Sequence, residues 1–116
     1  MSQSKNKPMI GDIFWIHEGT KERPVVMIAE GIGLDIDVYV ARVTSTTKLR
    51  DAFDVALHDW QAANLNRPSV VRCSKLSVID PGTLGFKAGT LTPSDLDSVL
   101  DKSSQFLALL QKQLRS

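Results

Sequence analysis

Apolar and polar residues alternate along most of the chain in short runs, separated by glycine, proline and charged residues, as is typical of β-strands. These runs predict strands over 12–17, 23–29, 36–44, 53–57, 69–73 with a continuation over 76–79, and 84–91. Alternation along the third strand places Arg42 and Thr44 on one face, about 7 Å apart. Short strands joined by tight turns predict a small barrel or a strongly curved sheet.

The last part of the chain changes to helical spacing. Thr92 to Asp95 supplies an N-cap, a proline at the first helical position and an acid three residues past the cap. Apolar residues then recur as one stripe, at Leu96, Val99, Leu100, Leu107, Leu110 and Leu114. We therefore predict a long helix near 93–114, and the spacing near 58–64 predicts a second, short helix. The fold class is mainly β with α.

The length of 116 residues fits one domain with a single core. We expect a flexible polar tail over 1–9 and one domain over 10–116. The first residues lack the apolar run of a signal peptide, and the longest apolar run, 25–29, is too short to span a bilayer. With a single cysteine, Cys73, the chain has no intrachain disulfide, and we expect a cytoplasmic protein.

The charge of the chain is nearly balanced, with 14 Lys and Arg against 13 Asp and Glu. A protein of this charge that binds nucleic acid must do so through a local basic cluster. No thiol or carboxylate stands at metal-ligand spacing from His17 or His58, and the glycines at 31 and 33 are not followed by a phosphate-binding lysine. The sequence therefore predicts no metal site and no cofactor.

The remaining candidate chemistry is a group of cationic and hydroxyl residues. Arg23 begins a predicted strand, while Arg42, Thr44, Ser45 and Lys48 lie at and after the end of another. Guanidinium forks and hydroxyl donors suit a phosphodiester and its transition state. Such residues are also common as solvated rim arginines and as threonines favoured by strands and turns, so the residues alone leave both interpretations open.

Six short segments occur in an order that resembles the MazF/PemK family of toxins. They are Gly11–Trp15, Arg23–Ile28, Ala41–Ser45, Val78–Asp80, Leu84–Leu91 and Pro93–Leu96. The family has a G-D-hydrophobic start, an R-P-hydrophobic strand, a strand that ends in T-S or T-A, and later T-I-D, L-G-K-K-I-G and P-E-D-L segments. The resemblance runs from about residue 10 into the C-terminal helix.

The resemblance implies an SH3-like barrel with a C-terminal helix, a homodimer, and a cognate antitoxin peptide that blocks the substrate groove. It implies a metal-independent endoribonuclease that cleaves single-stranded RNA by attack of the ribose 2′-hydroxyl, with Arg23 and Thr44 as the catalytic residues. The RNA-binding residues that we expect around them are Arg42, Ser45, Lys48, Lys21, His17 and Glu22.

The chain departs from the family pattern in three places. The segment 18–22, predicted as the first loop, is short, Ser77 stands where the family has an arginine, and 53–69 match no family segment. A second hypothesis is therefore kept, in which the same barrel is a non-catalytic toxin-like module that binds a peptide, an RNA or another target.

Overall fold

The computed structural model of the protein describes residues 7–115. In chain order its elements are β1 (Asp12–Glu18), β2 (Lys21–Glu30), β3 (Val38–Thr44), β4 (Asp54–Ala56), β5 (Val70–Ile79), a single 3-10 turn (Pro81–Thr83), β6 (Lys87–Thr90) and α1 (Pro93–Arg115). The predicted mainly β fold with a long C-terminal helix is confirmed.

The six strands form one antiparallel sheet in the order β4-β5-β3-β2-β1-β6, curled into a half-barrel. The register shifts at three places, between Ile13 and Phe14, between Met27 and Ala29, and between Ala41 and Arg42. The first two shifts have one extra residue, on β6 and on β2, and the third has three extra residues on β5. Extra residues on one strand bend that strand and increase its twist, so these irregularities account for the curl.

Each face of the sheet carries its own apolar cluster. The face toward α1 is the larger core, and its buried members include Ile13, Val26, Ala41, Val43, Val71, Cys73 and Val99. The opposite face holds a smaller cluster of Val25, Met27, Val38 and Val40, flanked by Ile16, Ile79 and Leu84. Both faces are therefore partly apolar.

The N-terminus of α1 ties the helix to the segment that follows β4. Asp95 is almost fully buried, and its carboxylate accepts hydrogen bonds from the backbone N–H groups of His58 and Asp59, at 3.1 and 2.8 Å. The hydroxyl of Thr92 accepts the N–H of Asp95 at 3.4 Å, which is a weak N-cap contact. The capping pattern thus fixes the start of the helix and also docks it on the sheet.

The predicted loop over 18–22 is wrong, because the first two strands continue almost to their junction. Only Gly19 and Thr20 lie between the end of β1 and the start of β2. Gly19 has a φ of 65°, which a two-residue hairpin turn requires and glycine adopts without steric cost. As a consequence, Glu18 is a strand residue that pairs with Lys21 across the hairpin.

The predicted short helix near 58–64 is also wrong, because this segment forms a single turn. Ala63 N–H donates to Asp59 O at 3.1 Å and Leu65 N–H to Trp60 O at 3.0 Å. Asn64 has a φ of 67°, a left-handed conformation that ends a helix. The turn packs tightly on β6, since a Cβ on Gly89 would lie 1.9 Å from the carbonyl oxygen of Ala63.

Two smaller differences concern the ends of elements. The predicted last strand over 84–91 is regular only over Lys87–Thr90, although Gly85 N–H still donates to Trp15 O at 2.8 Å. In the predicted tail, residues 1–6 lie outside the described residues. Lys7 forms an ion pair with Glu30 at 3.5 Å.

Within residues 7–115, no helix has the length and apolar composition needed to cross a membrane.

Candidate functional site

The pairing of β2 with β3 brings two of the predicted site residues together. Val25 is the partner of Arg42 in this antiparallel pair. Arg23 lies two residues before Val25 and Thr44 two residues after Arg42, so both stand at the same end of this strand pair. Both residues line the same two cavities, so their side chains lie within reach of one ligand.

Two cavities meet at this pair. The larger, of about 610 Å³, lies beside the smaller apolar cluster and is lined by Arg23, Thr44, Arg42 and Arg72 among others. The smaller, of about 330 Å³, lies near the start of β2 and the end of β3 and is lined by Arg23, Thr44, Ser45 and other residues. Because Arg23 and Thr44 line both cavities, they form the wall at which an extended ligand would pass from one to the other.

Glu18 contacts both arginines on the floor of the larger cavity. Its Oε1 lies 3.5 Å from Nε of Arg23, and its Oε2 accepts a short hydrogen bond from Nη2 of Arg42. Within residues 7–115, the buried Nε–H of Arg23 has no hydrogen-bond acceptor, since its contact with Glu18 is an ion pair without hydrogen-bond geometry. The Glu18 carboxylate therefore occupies the kind of position between two guanidinium groups that suits a phosphate.

Thr44 presents its hydroxyl at the end of β3. Its Oγ1 accepts the backbone N–H of Thr46 at 3.1 Å, which fixes the oxygen in a local turn. Among the described residues, this hydroxyl donates its hydrogen to none. The side chain is therefore oriented by an accepted hydrogen bond and keeps its own donor for a ligand.

Arg72 is a site residue that sequence analysis missed. Its Nη1 donates to Oδ2 of Asp54 at 2.6 Å, and the backbone N–H of Arg50 donates to the same oxygen at 2.6 Å. Its side chain is 10% exposed and that of Asp54 is 0% exposed. The only sequence signal for this role is a charged residue within an otherwise apolar strand, between Val71 and Cys73.

The larger cavity has an excess of positive charge although the whole chain does not. Its charged lining comprises five cations, Arg23, Arg42, Arg50, Arg72 and Lys75, and two carboxylates, Glu18 and Asp51. A 2.6 Å hydrogen bond from Ser74, with smaller contributions from Phe53 N–H and nearby cations, lowers the pKa of the Asp51 carboxyl. The local basic cluster that a nearly neutral nucleic-acid-binding chain requires is therefore present on this face.

The other predicted RNA-binding residues are spread around this wall. Glu22 and Ser45 line the smaller cavity. His17 pairs with Glu22 at 3.5 Å and, by strand alternation, lies on the face opposite Arg23. Lys21 and Lys48 are exposed, and neither they nor His17 line the two cavities. The structure thus gathers Arg23, Thr44, Arg42, Ser45 and Glu22, and leaves His17, Lys21 and Lys48 at the periphery.

No group of three or more His, Cys, Asp or Glu side chains in the described part of the chain is arranged to hold a metal ion.

Similar folds occur among solved toxin structures. An endoribonuclease in complex with its cognate antitoxin, from a mycobacterial species, is 20% identical, with a TM-score of 0.75 over 89% of this chain and 97% of that one. MazF in a MazE–MazF complex from Deinococcus radiodurans is 19% identical, with a TM-score of 0.71 over 89% and 97%. Toxin MazF-mt6 from Mycobacterium tuberculosis is 25% identical, with a TM-score of 0.68 over 84% and 96%.

Comparison with curated protein sequences gives no match. The model of one protein family, described as PemK-like, MazF-like toxin of type II toxin–antitoxin system, matches residues 10–107. This range includes all six strands and the first part of α1. The resemblance stated from the sequence is thereby confirmed, and the chain belongs to the family of PemK-like, MazF-like toxins of type II toxin–antitoxin systems.

Proposed function

We propose that the protein is a toxin endoribonuclease that cleaves single-stranded RNA by attack of the ribose 2′-hydroxyl, without a metal ion. The observation that carries this proposal is that Arg23 on β2 and Thr44 on the neighbouring β3 both line each of two adjoining cavities. A guanidinium and a free hydroxyl donor there supply positive charge and a hydrogen bond to one phosphate group.

In this reaction the 2′-oxygen forms a bond to phosphorus and the bond from phosphorus to the 5′-oxygen breaks. The products are a 2′,3′-cyclic phosphate and a 5′-hydroxyl. Arg23 neutralises the charge that develops on the non-bridging oxygens, and Thr44 donates its hydroxyl hydrogen to one of them. A guanidinium keeps its proton in proteins, so the 2′-hydroxyl proton leaves to water in the open cavity and the 5′-oxygen takes one from water.

The proposal extends to protein partners and to assembly. Among the similar structures, a mycobacterial endoribonuclease is bound to its cognate antitoxin and a Deinococcus MazF to MazE, and we assign this chain an antitoxin peptide as partner. We also assign it a homodimer. An apolar stripe on the distal half of α1 supports self-association, since Leu107, Leu110 and Leu114 are all exposed in the single chain.

Two single-stranded oligonucleotides of the same mixed sequence, one of RNA and one fully 2′-O-methylated, test the chemistry. We expect cleavage of the RNA and none of the methylated strand, because methylation removes the nucleophile. Cleavage of both strands would contradict 2′-hydroxyl attack. Binding of both strands by a folded dimer, with cleavage of neither, would support the non-catalytic binding module instead.

A further inference from the structure

Two arginines of the larger cavity face each other across neighbouring strands. Arg42 on β3 is the partner of Arg72 on β5. Like charges in directly opposite positions of a sheet repel each other and destabilise the pair. Arg42 pairs with Glu18, which it shares with Arg23, and Arg72 pairs with Asp54, and these contacts offset the repulsion.

The two carboxylates differ in how readily they can be replaced. Asp54 is fully buried, and it accepts hydrogen bonds from Arg72 and from the backbone of Arg50. Glu18 is the last residue of β1, next to the hairpin turn, and its side chain is 42% exposed. An anion that enters the cavity can therefore displace Glu18 into solvent, whereas Asp54 stays in place and keeps Arg72 oriented.

We propose that Arg42 and Arg72 form a second phosphate subsite, next to the Arg23–Thr44 pair, and that Glu18 is an internal counter-ion replaced there by a backbone phosphate of the RNA. The identity of this ligand rests on the proposed function. Arg42 is two residues from Thr44 on the same strand, so the two subsites lie about 7 Å apart. A flexible single strand can place two of its phosphates at such a distance.

Continuity with the cleavage site favours RNA over an acidic protein segment as the occupant. A carboxylate from a partner protein would have to replace Glu18 with the same chemical contact to Arg42. Glu18 has the advantage in this competition, because it belongs to the same chain and its effective concentration is higher. An RNA strand held at Arg23 and Thr44 brings its next phosphate with the same intramolecular advantage. The lining ammonium of Lys75 adds a cationic contact suited to a sugar–phosphate chain.

Binding of the fully 2′-O-methylated single strand, measured by fluorescence anisotropy over a range of salt concentrations, tests the subsite. This probe cannot be cleaved, so the result does not depend on whether the protein cuts RNA. We expect Glu18→Gln to bind about threefold more tightly at low salt, because an exposed competing ion pair is lost. We expect Arg42→Gln to bind more weakly, with a slope of log K against log salt that is smaller by about 0.7.

Arg72 is tested with the double variant Asp54→Asn, Arg72→Gln, which removes both buried charges together. It should weaken binding and reduce the salt slope as Arg42→Gln does. If this double variant does not fold, the exposed Glu18→Gln and Arg42→Gln changes still decide the outcome. Lys112→Gln, near the end of α1, removes one exposed cation that lines neither cavity and should leave binding unchanged.

Unchanged affinity in Glu18→Gln, or an unchanged salt slope in Arg42→Gln, would overturn the proposal. An oligoglutamate peptide provides the test for an acidic partner. If that peptide loses binding in Arg42→Gln while the methylated strand does not, the pair belongs to an acidic protein segment and the RNA subsite is rejected.

Discussion

Asp54 and Arg72 form an ion pair at 2.6 Å, in which the carboxylate is fully buried and the guanidinium is 10% exposed. Asp54 lies on the three-residue strand β4 and Arg72 on β5, where the two are direct partners. The pair therefore joins the short edge strand to the sheet and also holds Arg72 at the cavity wall. Loss of Asp54 alone should therefore destabilise the protein more than loss of both charges together.

We predict that Asp54→Ala destabilises the protein by about 3–5 kcal/mol, because it leaves a nearly buried guanidinium without its partner. Urea unfolding followed by circular dichroism measures this change. The double variant Asp54→Asn, Arg72→Gln should lose less, since neither charge is then left unpaired in the interior. A loss in Asp54→Ala no larger than in the double variant would contradict this role of the pair.

Asp95 is expected to be a second determinant of stability. Its carboxylate accepts two backbone N–H groups, from His58 and Asp59, in addition to its place in the first turn of α1. Asp95→Ala removes both of these accepted hydrogen bonds, and a hydrogen bond to a charged group contributes about 1.5–3 kcal/mol. Chemical denaturation should show a lower midpoint, while Asp97→Ala, on the same turn, serves as the control. Equal midpoints for the two variants would show that the contact between α1 and this segment is dispensable.

Cys73 is expected to be unreactive in the native protein. The thiol is fully buried, and burial is the main cause that raises its pKa. The reactive thiolate is therefore scarce at neutral pH, and a thiol reagent such as DTNB should label the native protein far more slowly than the protein in urea. Rapid labelling without denaturant would contradict the burial of Cys73.

The same shift predicts a pH dependence of stability. Because the thiol pKa is raised in the folded state, the neutral thiol makes its full contribution to the free energy of unfolding below the unfolded pKa of about 8.5. That contribution is lost as the pH rises above this value, because ionisation favours the unfolded chain. Cys73→Ala should show a smaller loss of stability between pH 8 and 10 than the unchanged protein.

Thr44 and Arg23 are predicted to govern the rate of cleavage. Thr44→Val removes the hydroxyl but keeps the shape and should lower kcat by about 10²–10³, the usual effect of losing one donor to a developing oxyanion. Arg23→Ala should lower the rate at least as much. Thr47→Val is the matched control, because Thr47 is exposed and lines neither cavity. Equal rates in Thr44→Val and Thr47→Val would remove Thr44 from the mechanism.

Local patterns in the sequence were sufficient to predict most strands and α1. Alternation determines the strands, and the Thr92–Asp95 segment marks the start of the helix because capping depends on neighbours in the chain. The same segment gave no indication that Asp95 accepts hydrogen bonds from residues 58 and 59, since that contact spans more than 30 positions. The short helix was mispredicted because the segment forms a single turn, with one i to i+4 hydrogen bond from Ala63 to Asp59 before the left-handed Asn64.

The site was predictable only in part, because several of its contacts join residues that are far apart in the sequence. Arg23 and Thr44 stand in segments that resemble the family, and they could be named before their spatial relation was known. Arg72 acquires its role through the non-local pairing of β5 with β3 and β4, which no periodicity reveals. The polar segment 18–22 predicts a loop, whereas the two-residue hairpin extends β1 to Glu18 and brings its carboxylate to two arginines.

Incubation of the purified protein with a mixed-sequence single-stranded RNA in excess EDTA, followed by mass spectrometry of the product ends, tests the central claim most directly. We predict cleavage that persists in EDTA, with 2′,3′-cyclic phosphate and 5′-hydroxyl ends, and no products with Arg23→Ala. Cleavage that EDTA abolishes, or products with 5′-phosphate ends, would contradict metal-independent attack by the 2′-hydroxyl.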